Sequence, residues 1–180
     1  MRLIPWRNTG VGVKRICLVG LDMHAFDYRQ AEEIKAALSR HRVRYLFIGK
    51  SGAILLGFPD TTQDADLFVD RDVENTRALV AALRELGFEL TELQASEIER
   101  GKVFVQLKNG PFDLDLVFAP DGIETFEDAW KRRVEVEDFP VCHIDDIIAS
   151  KEAAGRERDR ESLPRLRSFR DYLLAQRKRR

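Results

Sequence analysis

Apolar residues recur along this chain with two periods, and the switches between them mark its elements. Ala31, Ile34 and Leu38 fall at helical spacing behind Asp27, predicting a helix from Asp27 to His41 capped by Asp27. Arg42 to Ile48 ends in an apolar run and predicts a buried strand. Ser51 to Leu56 begins a short helix, and Phe58-Pro59-Asp60-Thr61 reads as a turn. From Asp64 to Val69 the period is two: Ala65, Leu67 and Val69 take one face of a strand, Asp64 and Asp66 the other. Asp72 caps a helix carrying Leu79, Ala82, Leu83 and Leu86, which Gly87 ends. Phe88 to Leu90 predicts a short strand and Ser96 to Arg100 a helical turn.

Val103 to Leu107 and Phe112 to Phe118 predict a hairpin across Lys108-Asn109-Gly110-Pro111. In its second arm Phe112, Leu114 and Leu116 share one face, and Asp113 and Asp115 the other. Ile123 to Trp130 predicts a short helix. Arg133 to Val136 and Val141 to His143 predict strands around Phe139-Pro140. Ile144 to Ala154 predicts a helix capped by Asp145 or Asp146. Gly155 interrupts it, and a last helix starts at Glu157 or Ser162 and runs to about Gln176. Helices and strands alternate, but the hairpin argues for a mixed sheet. The expected fold class is α/β in the α+β sense, a mixed sheet flanked by helices with further helices at the C-terminal end. Residues 1–22 read as an N-terminal extension, 23–180 as a single domain, and 144–180 as its helical C-terminal part.

A chain of 180 residues is long enough for one real core. Its 44% hydrophobic and 34% charged residues are those of an ordinary globular protein, which excludes a low-complexity or collagenous chain. The apolar runs are far too short to span a bilayer, and no signal peptide is evident among the basic residues Arg7, Lys14 and Arg15. Cys17 and Cys142 match no zinc spacing and read as free thiols, so the expected location is the cytoplasm. The histidines His24, His41 and His143 show no ligand spacing.

Asp64 and Asp66 on one strand face repel each other, and something must offset that repulsion. A hard divalent cation such as Mg²⁺ does so, because it takes oxygen ligands and accepts phosphate as a further one. Upstream, Gly49, Ser51 and Gly52 form a turn entering a helix, where backbone N–H groups and a hydroxyl suit phosphate. A phosphate turn and a metal pair this close in sequence point to phosphoryl or nucleotidyl transfer.

The stretch Tyr45 to Asp70 resembles the nucleotidyltransferase superfamily of polymerase-beta-like fold, in its small bacterial branch found in toxin–antitoxin and phage-defence systems. Members carry Gly-Gly-x-Ala, a further Gly, Pro-Arg-x-Thr and Asp-x-Asp. Here Gly49, Gly57, Pro59, Thr62, Asp64 and Asp66 fall at that spacing, while Lys50, Gly52 and Asp60 depart from it. More loosely, the resemblance runs from Tyr28 to Leu174. It implies a two-ion Mg²⁺ site on Asp64 and Asp66, completed by Asp115 with Asp113 beside it. A solvent-facing edge strand is the other reading of Asp113 and Asp115. The resemblance further implies that Gly49, Lys50, Ser51 and Gly52 hold the phosphates of a nucleoside triphosphate. Lys151-x-x-x-x-Arg156-x-x-Asp159 is similar to the family's C-terminal element. Lys151 would face the triphosphate, and Arg156 and Asp159 would brace two helices. The implied activity is transfer of a nucleotide to an acceptor hydroxyl. The acceptor could be tRNA, as in toxins, or a partner toxin, as in antitoxins; a degenerate nucleotide-binding module is the alternative without catalysis. Ten Lys or Arg against four Asp or Glu from Arg156 to Arg180 favour RNA.

Overall fold

The computed structural model describes residues 25–177. The expected extension 1–22, with Cys17, and also His24 and Lys178 to Arg180 lie outside the described residues. In chain order the elements are α1 (Tyr28–Arg40), β1 (Tyr45–Phe47), α2 (Gly49–Leu55), β2 (Asp64–Val69), α3 (Val73–Glu85) and α4 (Glu92–Glu99). The hairpin β3 (Phe104–Leu107) and β4 (Asp113–Val117) follows, then α5 (Phe126–Arg132), β5 (Val134–Val136), β6 (Phe139–Val141), α6 (Ile144–Ala154) and α7 (Glu157–Arg177).

The strands form one mixed sheet in the order β3-β4-β2-β1-β6-β5. β2 runs antiparallel to β1 but parallel to β4, and β1 runs parallel to β6. Strand alternation divides the apolar side chains between two cores. Tyr45, Phe47, Ala65, Leu67, Val69, Leu114 and Leu116 pack with Ile34, Leu38, Leu79, Leu83 and Ile98 of α1, α3 and α4. Leu46, Phe68 and Cys142 face the other way, onto Ala53, Phe126, Ile147 and Leu166 of α2, α5, α6 and α7. Asp64 and Asp66 share this second face with Phe68, so the acids open beside α2 and α6.

Several elements begin or end differently from the expectation, each for a local reason. β1 starts only at Tyr45, because Arg42 adopts φ 55° and the Val43 N–H closes α1 on the Leu38 carbonyl at 2.9 Å. Phe88 to Leu90 is not a strand: Phe88 is a buried plug whose ring meets Phe112 edge-on at 5.3 Å. The helical turn at Ser96 is the end of a longer α4, started by a Thr91–Gln94 capping box. α5 is shifted C-terminally, because Thr125 caps it through the Asp128 N–H. The β5–β6 turn falls on Glu137-Asp138, both at positive φ, and Phe139-Pro140 belongs to β6. His143, not Asp145 or Asp146, caps α6, while Asp146 pairs with Arg132 at 2.8 Å. His41 pairs with Glu85. Among the described residues no helix is long and apolar enough to cross a membrane.

The end of β1 is tied to α3 by Asn75. Its amide donates to the carbonyls of Arg44 (3.1 Å) and Asp70 (2.7 Å), and its oxygen accepts the Arg44 N–H at 2.7 Å. Truncation strands those backbone groups inside the protein. Asn75→Ala should therefore cost about 2–4 kcal/mol in urea unfolding. A loss under half a kcal/mol would show that water replaces the amide.

Candidate functional site

Parallel pairing of β2 with β4 places Asp66 beside Asp115 and Asp64 beside Asp113. Antiparallel pairing of β3 with β4 then sets Gln106 beside Asp115. Carboxylate oxygens of Asp64, Asp66 and Asp115 converge, lying within 4.8 Å of one another. Asp113 stays outside this group and instead lies 3.7 Å from the Lys108 ammonium. The expected set of four acids thus reduces to three that meet.

Each of the three is held by a neighbour. The Thr62 hydroxyl donates to Asp64 Oδ1 at 2.7 Å. The Asp66 N–H donates to Ser51 Oγ at 2.8 Å, and the Ser51 N–H points to Asp66 Oδ2 at 3.4 Å. Gln106 Nε2 donates to Asp115 Oδ1 at 2.9 Å. Gly49 lies directly against Asp66: a Cβ there would meet Oδ2 at 2.6 Å, and φ is +61°. Only glycine fits both conditions.

The turn from Gly49 to Gly52 is accordingly divided. Gly49 and Lys50 line the cleft in front of the acids. Ser51 and Gly52, also expected to meet phosphate, are buried and do not line the cleft. Ser51 is fully buried and spends its hydroxyl on the Asp66 N–H and the Ile48 carbonyl (3.2 Å). Gly52 is glycine because a Cβ would sit 2.8 Å from the Phe47 carbonyl oxygen. Its absent side chain lets α2 rest on β1.

The cluster is short of positive charge. Burial, then the charges of Asp64 and Asp115, raise the Asp66 carboxyl to about 7, against the pull of the Ser51 N–H and Lys151. Burial likewise raises Asp115, partly offset by the Gln106 amide. An all-oxygen, proton-avid cluster is a donor set for a hard divalent cation.

The acids floor a cleft of about 290 Å³. Lys50, Lys151 and Arg156 also line it. The largely buried Lys151 pairs at 2.8 Å with Asp159, across the α6–α7 junction at Gly155. The expected Arg156–Asp159 brace is therefore a Lys151–Asp159 brace, and Arg156 stays exposed on the rim. Asp60, where the resembling family has arginine, pairs with Arg165 of α7 at 3.2 Å. Gln106 went unnoticed in the sequence. Its signal was there: β3 alternates, with Val105 and Leu107 buried and Phe104 and Gln106 turned outward.

No protein-family model and no curated protein matches the chain. Among solved structures it is similar to the lincomycin-bound crystal structure of the lincosamide antibiotic adenylyltransferase LnuA, with a TM-score of 0.58 and 16% identity over 81% of this chain and 99% of that chain. At this identity the likeness concerns architecture: the chain has a nucleotidyltransferase-like fold, a mixed sheet flanked by helices.

Proposed function

We propose that this chain is a metal-dependent nucleotidyltransferase that moves a nucleoside monophosphate from a nucleoside triphosphate to an acceptor hydroxyl. The observation that carries the reading is the convergence of Asp64, Asp66 and Asp115 in a cleft that also holds Lys50 and Lys151, on a nucleotidyltransferase-like fold. Asp64, Asp66 and Asp115 would hold Mg²⁺. A bound Mg²⁺ supplies charge neutralisation for the triphosphate and the departing pyrophosphate. Lys151 adds fixed positive charge to the cleft, held in place by Asp159. Lys50 adds a second cation on the rim. Asp115 stands nearest the open edge of the sheet, where it would accept the proton of the acceptor hydroxyl. Gln106 holds its Oδ1, which keeps the carboxylate from rotating.

The expectation of tRNA as acceptor rests on C-terminal basic charge. In α7 three of those ten cations are paired: Arg165 with Asp60, Arg167 with Glu152 and Arg170 with Asp171. These pairs lower the attraction that α7 offers to a polyanion.

The direct test incubates the protein with each α-phosphate-labelled nucleoside triphosphate and Mg²⁺, with and without total tRNA. Release of labelled monophosphate or its transfer, abolished by Asp64→Asn and Asp66→Asn, is the expected result. Wild-type turnover in either variant would remove the metal assignment. Gln106→Leu should lower turnover about tenfold with unchanged melting temperature, since it frees a liganding carboxylate without opening the core.

Proton and cation compete for Asp66, which fixes a sign. A carboxyl raised from 3.8 to about 7 by folding adds stability that is full below about pH 4 and is lost as pH rises through 7. In EDTA, Asp66→Asn should therefore come close to the wild-type melting temperature near pH 4 and exceed it clearly near pH 8. Equal differences at both pH values would show that Asp66 is not proton-avid.

A further inference from the structure

The two sides of the cleft differ in chemistry. Lys50, Lys151 and Arg156 stand on the side of α2, α6 and α7. Across the acids, towards the open edge of the sheet, the lining is Val103, Phe104, Val117, Ala119, Pro120 and Asp121. Phe104 pairs with Val117 across the hairpin, two residues from the Gln106–Asp115 pair. That is about 7 Å along the strand, within reach of a molecule touching both. Val103 and Phe104 remain 59% and 43% exposed, two large apolar side chains kept in water beside a cluster of carboxylates. Among the described residues, the charged groups lining this side are acids, Asp115 and Asp121. The flanking lysines are engaged, Lys102 with Glu97 at 2.6 Å and Lys108 with Asp113 at 3.7 Å.

We propose that this rim is the acceptor subsite, and that the acceptor is a small phosphate-free molecule, neutral or cationic, with a hydroxyl beside an apolar ring face. The proposal rests on the nucleotidyl-transfer reading of the same site. The ring face of Phe104 offers a stacking surface for such a molecule. Acids repel an anionic acceptor, and a nucleic acid needs cations for its phosphates, which the described residues lining this rim do not provide. The cleft, about 290 Å³, is of the size that small ligands occupy. In the reaction the acceptor oxygen forms a bond to the α-phosphorus. The bond from that phosphorus to the bridging oxygen breaks, pyrophosphate leaves with the electron pair, and the hydroxyl proton passes to Asp115.

The test uses the full chain with Mg²⁺ and the non-transferable analogue α,β-methylene-ATP. Phenyl β-D-glucoside and its 6-phosphate are titrated in turn, and saturation transfer from protein to the phenyl ring is read by NMR. The glucoside should bind, its 6-phosphate about tenfold more weakly, and excess tRNA should not displace it. Phe104→Ala should weaken the glucoside about tenfold, and Phe104→Tyr should keep it. Binding of neither probe, equal or tighter binding of the 6-phosphate, displacement by tRNA, or indifference to Phe104→Ala would each overturn the proposal. A thermal shift of wild type with Mg²⁺ and the analogue reports the underlying reading separately. Present with failed probes, it leaves nucleotidyl transfer standing and removes the acceptor class; absent, it removes both.

Discussion

Three carboxylates held within a few ångströms repel one another, and the fold is arranged to impose that repulsion. The parallel pairing of β2 with β4 sets Asp66 beside Asp115, and neither strand can slip to relieve it. A slip of one residue would turn Ala65, Leu67, Leu114 and Leu116 out of the core and bring the acids into it. Apolar burial on one face of the sheet thus locks electrostatic strain on the other. The supports are local: Thr62 for Asp64, Ser51 for Asp66, Gln106 for Asp115. A site built on strands and braced by neighbours is pre-organised for charge that arrives from outside.

The glycines at the head of α2 show how one short motif serves two ends. Gly49 gives Asp66 its space, and Gly52 brings α2 down onto the Phe47 carbonyl. Lys50, between them, lines the cleft that the turn opens. On the same side of the cleft, Lys151 and Asp159 are nearly buried, so neither can lose the other without leaving an unpaired charge in a poorly solvated place. The attachment of α7 and the electrostatics of the cleft therefore share one ion pair.

Much of this was legible in the sequence where a periodicity or a cap carries the information. The alternation in β2 and β4 places Ala65, Leu67, Val69, Leu114 and Leu116 on the core face opposite the acids, and Asp27 and Asp72 cap their helices. What was not legible depends on contacts between distant segments. The partner of Asp159 is Lys151 rather than the nearer Arg156, because Gly155 in the left-handed region turns α7 back across α6. Ser51 looks like a phosphate ligand until the strand beside it offers an N–H at 2.8 Å. Phe88 has a strand's composition, but the sheet ends at β3 and gives it no partner. Asp115, already favoured over Asp113 in the sequence, is set apart from it by the convergence of β2 and by Lys108 beside Asp113.

The placement of the acids next to β3 has a cost in solubility. Among the described residues β3 is an outer strand, so its outward backbone groups offer a template on which a second chain could extend the sheet. An aromatic residue exposed on such a strand strengthens that tendency. The strand is only Phe104–Leu107, and Lys102 and Lys108 stand just beyond its two ends. Short length and flanking charge are the devices that keep an open edge from polymerising. The two lysines therefore guard the protein's behaviour at high concentration, and replacing them with neutral residues would turn the same surface towards self-association.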